Sequence, residues 1–217
     1  MNKTFIIDSL MTKAKAHCIL PRRSYETLYE IHNRFEAGMT IASDTVTTEL
    51  IDGCPAAAPQ ALLARLDELG ITHKTITHPP VFTVQEAQAI RGNLSGIHSK
   101  NLFLKNKAGT MWLVTCEENR QLQLRTLAEQ LGAKRFSFAS RERLMSYLGV
   151  TPGAVTPFSV INDHQGKVTM VVDRLLLTSQ TVNFHPLVNT MTTSICGSDL
   201  LVFLQSVDHE PIIEQFE

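Results

Sequence analysis

The sequence predicts a mixed α/β fold of the α+β type, with helices around a mixed, largely antiparallel sheet. Helix-like and strand-like patterns alternate along the chain, which indicates both kinds of element in one core. Several neighbouring strand-like runs are joined by short turns typical of hairpins, so a doubly wound parallel sheet is not expected. With 217 residues, 43% of them apolar, the chain can bury a core without disulfides or metals.

The first elements follow a clear order. Leucines recur at helical spacing after Gln60, and Gly70 is placed to end that helix. Residues Thr72–Thr77 alternate as a short strand, which the following prolines stop. A capping box at Thr83 opens a second helix, and Gly92 ends it.

A hairpin is predicted in the middle of the chain. The runs Lys100–Lys105 and Thr110–Cys116 are strand-like, and the turn-forming residues Asn106–Gly109 separate them. Two helical patterns follow, at Leu124–Leu131 and Ser140–Leu148, and a glycine stands after each.

A second hairpin is predicted further along the chain. Its strands would be Ser159–Asn162 and Lys167–Asp173, with Asp163–Gly166 as the turn. Ser198 would cap a last helix that ends near Ser206.

The pattern changes near residue 55. Residues 1–55 show no long period, apart from a short helix predicted near Tyr25–Phe35, and they end in a turn-rich stretch with prolines. We therefore predict an N-terminal extension of unknown role over residues 1–55 and a folded domain over residues 56–217.

Charge is unevenly distributed, although 20 Lys+Arg nearly balance 21 Asp+Glu. The segment Arg91–Arg143 holds ten basic residues and four acidic ones. Such a segment can attract a polyanion such as RNA. The alternative is a solvated face whose charges are balanced after folding.

Targeting signals and stapling motifs are not evident. No apolar run approaches the roughly 20 residues of a membrane span, and no signal-peptide pattern occurs, so a cytoplasmic protein without membrane contact is expected. The cysteines form no CxxC pair and should be free thiols in a reducing compartment. They are Cys18, Cys54, Cys116 and Cys196.

The common catalytic motifs are either absent from the sequence or have the wrong residue spacing. The stretch from Gly92 to Lys100 resembles a phosphate loop, but three residues separate its second glycine from the lysine. Nucleophile elbows, zinc-protease motifs and dinucleotide fingerprints do not occur. The histidine spacing does not predict a metal site, and no cofactor is expected.

Three dispersed features could carry chemistry. Lys100 opens a strand, the glycine- and proline-rich loop Gly149–Pro157 could present fixed backbone groups, and His185 precedes a polar stretch. A surface lysine, a plain connecting turn and a core histidine are the commoner alternatives. Spacing alone decides none of them.

Four stretches carry a resemblance. They are His78–Thr83, Ser99–Leu104, Gly149–Phe158 and Phe184–Thr193. In this order they resemble the signatures of the prolyl-tRNA editing family, the YbaK-like aminoacyl-tRNA deacylases. The details are more similar to the free-standing alanyl-tRNA(Pro) deacylases than to the cysteinyl-tRNA(Pro) branch.

The resemblance implies a curved, barrel-like sheet and hydrolysis of the ester between a wrong amino acid and the 3′ end of tRNA. It implies catalytic roles for Lys100, for Gly153 in the GxxxP loop and for His185. Substrate-binding roles would fall to Asn101, Ala154, Val155, Thr156, Pro157, Asn189 and Phe82.

The implied chemistry needs no nucleophilic side chain. The loop would hold the aminoacyl group and a water, which the terminal ribose 2′-OH helps to activate. Lys100 would bind the terminal phosphate or stabilise developing negative charge, and His185 would line the pocket. The expected partners are the acceptor end of mischarged tRNA(Pro), with alanine as the preferred amino acid, and prolyl-tRNA synthetase.

Three alternatives remain open at this point. The protein could deacylate cysteinyl-tRNA(Pro), or it could be a non-catalytic module that binds tRNA or a synthetase. It could also hydrolyse another acyl ester with Cys116 or Cys196 as the nucleophile and His185 as the base.

Overall fold

The computed structural model describes residues 49–80 and 94–216. They belong to one compact unit, Thr47–Glu217. The predicted helix at Thr83–Gly92, the predicted helix near Tyr25–Phe35 and the candidate residue Phe82 lie outside the described residues. The boundary at residue 55 stays a prediction.

Five α-helices, one 3₁₀ helix and eight strands occur in the described residues. The helices are α1 (Pro59–Glu68), α2 (Leu124–Gln130), α3 (Arg141–Leu148), α4 (Arg174–Leu177) and α5 (Gly197–Gln205), and the 3₁₀ helix is Pro157–Asn162. The strands are β1 (Lys74–Thr77), β2 (Ile97–Lys105), β3 (Met111–Glu117), β4 (Ser137–Phe138), β5 (Val168–Asp173), β6 (Val182–Phe184), β7 (Met191–Ile195) and β8 (Ile212–Glu214).

The eight strands form one mixed sheet in the order β1-β7-β6-β2-β3-β5-β8, with β4 paired to β2. The pairs β1–β7, β6–β7, β2–β3 and β2–β4 are antiparallel. The pairs β2–β6, β3–β5 and β5–β8 are parallel. The predicted mixed α/β class and the β2–β3 hairpin are therefore confirmed.

Both faces of the central strands are covered by apolar side chains. Phe103 and Leu113 belong to one buried cluster, whereas their neighbours Leu104 and Val114 belong to the other. This alternation follows from the two-residue period of a strand. Because both faces of β3 are buried, its sequence is almost continuously apolar. A strand with one face in solvent would alternate apolar and polar residues.

The second predicted hairpin is wrong. Its first arm is the 3₁₀ helix Pro157–Asn162. Pro157 has no N–H to give to a strand partner, and the Thr156 hydroxyl accepts the N–H of Phe158 at 3.4 Å. The Ser159 hydroxyl donates to the Thr156 carbonyl at 2.6 Å, so these polar groups are satisfied locally and not by a strand.

The last helix begins slightly earlier than predicted. Cys196 is its N-cap residue, and Ser198 lies inside the first turn. The helices predicted from Gln60, Leu124 and Ser140 are confirmed. Within the part of the chain that the structure describes, no helix is long and apolar enough to cross a membrane.

A buried ion pair links the turn before β5 to the segment after α5. His209 Nε2 lies 3.1 Å from Asp163 Oδ2, and His209 Nδ1 donates to the Val207 carbonyl at 2.7 Å. Asp163 also accepts the N–H groups of Lys167 and Val168, at 3.0 and 2.7 Å. Because both ring nitrogens face acceptors, the imidazolium form fits this site.

We expect this pair to make stability depend on pH above neutrality. Burial opposes the charge on His209, but its hydrogen bond to Asp163 and its other contacts outweigh burial and raise the pKa of His209. A raised pKa gives stability that is complete below the unfolded value of about 6.5 and is lost as pH rises through the folded value. Thermal melts between pH 6 and 9 should show this loss, with a slope of at most about 1.4 kcal/mol per pH unit. The variant His209→Gln should be less stable at pH 6 and should lose that slope; an unchanged slope would contradict the assignment.

Candidate active site

Lys100 lies at a gap in the sheet. Strand β2 pairs with β6 only at Ile97 and His98 and with β4 only at Leu104 and Lys105. Among the described strands, residues 99–103 pair with β3 alone. Among the described strands, Lys100 therefore has a pairing partner on one side of β2 only, and Lys100 is half-buried.

One face of the sheet gathers histidines beside Lys100. Alternation along β2 places His98 and Lys100 on the same face. His98 Nε2 lies 3.4 Å from the amide nitrogen of Asn183, its register partner on β6. His185 follows Asn183 by two residues, and its ring centroid lies 5.9 Å from that of His78. We call the face that carries His78, His98, Lys100 and His185 the histidine face.

His185 is held as a neutral imidazole. Burial lowers its pKa, and the neighbouring His78 and His98 lower it further, against the opposing effect of the Met191 carbonyl. Nδ1 donates to that carbonyl at 2.8 Å, which leaves Nε2 with an acceptor lone pair. His185 can therefore orient a water or a hydroxyl near neutral pH.

A buried thiol lies beside Lys100, and the strand next to that thiol carries an ion pair. Cys116 is the register partner of Lys100 and is fully buried. Burial raises the pKa of this thiol to about 12, although Lys100 acts in the opposite direction. On the neighbouring strand, Asp173 has a side chain 1% exposed and pairs with Arg120 at 3.3 Å.

The glycine- and proline-rich loop is fixed by its own contacts. Gly149 ends α3 with φ 63°, and Gly153 has φ 90°, a conformation that favours glycine. The Ala154 N–H donates to the Thr151 carbonyl at 3.0 Å. Pro157 is buried at the start of the 3₁₀ helix. These contacts give the loop one defined backbone shape.

The loop is tied to β2 through a buried polar chain. The Asn101 amide donates to the Val155 carbonyl at 2.9 Å. The Thr115 hydroxyl, on β3, donates to the Asn101 carbonyl oxygen at 2.7 Å, and Thr115 is 0% exposed. Since Asn101 follows Lys100 on a regular strand, the two side chains point to opposite faces.

The structure thus divides the predicted site residues into two groups. Lys100 and His185 belong to the histidine face. Asn101 contacts the loop from the other face, where it supports the Val155 carbonyl. Ala154, Thr156 and Pro157 are buried, whereas Gly153, Val155 and Asn189 are half-buried. The roles of all these residues stay predictions.

Sequence reasoning missed several members of the site. Thr115, His98 and His78 were not singled out for a role, although His98 had a usable signal. His98 is two residues before Lys100 on a predicted strand, so it had to share its face. Thr115 becomes visible only with the register of the β2–β3 hairpin.

Part of the basic segment is neutralised by ion pairs. Arg120 pairs with Asp173, and Arg125 pairs with Glu129 at 3.2 Å. Other basic residues are exposed to solvent: Lys107, Lys134, Arg135 and Arg141. These four are the candidates for contact with a polyanion.

Comparison with known families decides the assignment of the domain. Residues 78–203 match the family model of the aminoacyl-tRNA editing domain. The chain belongs to this family. The predicted family, the predicted fold and the predicted enzyme class, an aminoacyl-tRNA deacylase, are confirmed.

Named relatives share most of the domain. The prolyl-tRNA editing protein ProX of Acetoanaerobium sticklandii is 39% identical over 144 residues, which cover 66% of this chain and 88% of the relative. The multifunctional Ser/Thr-tRNA deacylase ProXp-y of Escherichia coli K12 is 30% identical over 132 residues, which cover 59% and 75%.

A solved structure shares the fold. Its protein is provisionally described as a trans-editing enzyme for prolyl tRNA synthetase. The TM-score is 0.57 at 18% sequence identity, and the match covers 76% of this chain and 99% of that one. At this identity the likeness concerns the fold alone.

Proposed function

We propose that this protein hydrolyses the ester of mischarged tRNA(Pro) in trans, with alanine as the preferred amino acid. The observation that carries the proposal is the placement of Lys100 on the same face of the sheet as His185, next in sequence to Asn101, which holds the Val155 carbonyl of the loop from the other face. The acceptor end of tRNA is the substrate partner, and prolyl-tRNA synthetase is the protein partner. The reaction belongs in the cytoplasm, where tRNA is charged.

The reaction needs orientation and charge stabilisation more than a strong nucleophile. A water attacks the ester carbonyl carbon, the bond to the ribose 3′ oxygen breaks, and free amino acid and tRNA with a 3′ hydroxyl are released. The proton of the water passes to that leaving oxygen, with the substrate 2′-OH as the group that activates the water. Negative charge builds on the carbonyl oxygen in the transition state, where a nearby ammonium is most effective.

Lys100, His185 and the loop each have a part in this scheme. Lys100 supplies the positive charge. His185, neutral with Nε2 as an acceptor, orients the water or the ribose hydroxyl. The loop Gly153–Pro157 shapes the aminoacyl pocket, and the Val155 carbonyl is held in place by Asn101.

The cysteine alternative is weakened by geometry. The Cys116 thiol is fully buried and its pKa is about 12, so the reactive thiolate is scarce at neutral pH. At the start of α5, Cys196 Sγ lies 3.2 Å from the Ser198 hydroxyl and 3.9 Å from the Ser179 carbonyl. The Cys116 thiol is therefore a poor nucleophile, and the groups that contact Cys196 Sγ, a hydroxyl and a carbonyl, are not bases that could activate it.

The amino acid is the part of the proposal that a substrate panel tests. A synthetase site built for proline rejects a smaller side chain by only about 1–3 kcal/mol, so an editing site is needed for the smaller one. Purified protein should release alanine from alanyl-tRNA(Pro) at least tenfold faster than cysteine from cysteinyl-tRNA(Pro), and prolyl-tRNA(Pro) should stay intact. Seryl- and threonyl-tRNA belong in the panel because one relative is named for them. Faster release of cysteine, serine or threonine would overturn the choice of alanine, and no release from any substrate would overturn the proposed reaction.

A further inference from the structure

A cluster of side chains outside the active site has the composition of a metal site. Asp52, Cys54 and His164 each offer one ligand atom, and the three atoms lie within 4.8 Å of one another. Two of the residues come from one turn and the third from a turn more than a hundred residues later. We propose that these three residues bind Zn²⁺ or a similar borderline divalent cation and clip the two turns together.

The distances suit zinc with a small adjustment. Zinc bonds of about 2.0–2.3 Å in a tetrahedron put ligand atoms roughly 3.3–3.8 Å apart. His164 Nδ1 and Asp52 Oδ2 already lie 2.7 Å apart. Metal binding must therefore move His164 Nδ1 and Asp52 Oδ2 apart by about 0.6 Å and bring the Cys54 thiol closer to both by up to about 1.3 Å.

The turn that supplies two ligands is firmly held. Leu50 is buried and its N–H donates to the Cys54 carbonyl at 3.0 Å, and the Ile51 N–H donates to the Ser146 carbonyl at 2.7 Å. Gly53 has φ 79°, which lets Asp52 and Cys54 turn toward each other. The Cys54 N–H donates to Asp52 Oδ1 at 3.0 Å, which orients the carboxylate and leaves Oδ2 toward His164.

The chemistry of the ligands selects the ion. A sulfur and an imidazole nitrogen favour zinc or cobalt over magnesium and calcium, which prefer oxygen alone. On binding, the Cys54 S–H bond breaks, its proton goes to solvent and a sulfur–metal bond forms. His164 Nδ1 gives up the proton of its hydrogen bond to Asp52, the neutral ring carries its N–H on Nε2, and Nδ1 binds the metal in place of that proton. The thiolate and the carboxylate then neutralise the 2+ charge, and a water can take the fourth position.

Cobalt titration of the untagged full chain tests the proposal directly. Co²⁺ should produce a thiolate-to-cobalt charge-transfer absorption, and added Zn²⁺ should abolish it. Zn²⁺ at about a hundredfold above its Kd should raise Tm by about 5–10 °C. In the same state, a thiol reagent followed by peptide mass mapping should label Cys54 in the metal-free protein and not in the zinc-loaded one.

Matched variants identify the ligands. Cys54→Ser should abolish the charge-transfer band, and His164→Gln should weaken cobalt binding at least tenfold. Cys196→Ser, which changes a thiol outside the cluster, should leave the titration unchanged. A band that survives Cys54→Ser, or none with cobalt in tenfold excess over wild-type protein, would overturn the proposal and leave a simple Asp52–His164 ion pair.

Discussion

Replacing Lys100 by methionine should lower kcat for deacylation by about 10²–10³-fold, the usual effect of removing one group that stabilises transition-state charge. Methionine keeps most of the length and apolar character of the lysine stem, so packing against Cys116 should survive. The measurement is release of amino acid from mischarged tRNA(Pro) under saturating and subsaturating substrate.

The kinetic constants distinguish the two roles that Lys100 could have. If the ammonium stabilises charge that appears only in the transition state, kcat falls and KM stays constant. If it holds the terminal phosphate in the ground state as well, KM rises. Lys105→Met is the matched control because Lys105 lies on the same strand five residues later and points to the opposite face. A Lys100→Met protein that is folded and has wild-type activity would contradict the proposed site.

The sequence was informative wherever local signals and packing agreed. The helices at Gln60, Leu124 and Ser140 have strong periodicity, and Ser140 and Gly149 act as the caps that their residue types suggest. The failure at Pro157–Asn162 has a physical cause. These six residues are nearly all buried, so neither a two-residue nor a 3.6-residue period shows, and local hydrogen bonds from Thr156 and Ser159 decide the conformation.

The register of the β2–β3 hairpin could not be predicted from sequence, because it depends on the exact length of the turn. A turn of four residues, Asn106–Gly109, would pair Lys105 with Thr110 and Asn101 with Val114. The observed turn includes Thr110. The Asn106 N–H donates to the Thr110 carbonyl at 3.1 Å, the Thr110 N–H donates to Asn106 Oδ1 at 3.0 Å, and Lys105 pairs with Met111. One residue of turn length therefore decides whether Asn101 lies opposite a valine or opposite Thr115.

Because local sequence does not specify strand register, it also does not specify how the side chains of the site are arranged. The stretches that carry the resemblance located Lys100, His185 and the loop, but a motif does not say on which face of a strand each side chain lies. That information comes from strand pairing between β2 and β6, two strands about 80 residues apart, whose register no local pattern specifies. Asn101 supports the loop through the Val155 carbonyl, and its expected contact with the substrate stays a prediction.

Thr115→Val should lower kcat by about tenfold and destabilise the fold by about 1–3 kcal/mol. Valine has nearly the same shape, but it leaves the Asn101 carbonyl oxygen without its donor in a buried position. The side chain of Asn101 then loses its fixed orientation, and the Val155 carbonyl loses a fixed partner 2.9 Å away. Because the loop shapes the aminoacyl pocket, a small displacement there reduces correct positioning of the ester.

Rescue by serine separates this positioning role from a purely structural one. Thr115→Ser keeps the hydroxyl and should recover most of kcat, even though it loses a buried methyl group and about 1 kcal/mol of stability. Chemical denaturation and deacylation kinetics on the three proteins provide both readouts. If serine and valine variants of similar stability have the same kcat, the hydrogen bond from Thr115 to Asn101 has no part in catalysis. If only the valine variant is slow, the support of Val155 by Asn101 extends the active site to a side chain that never meets the substrate.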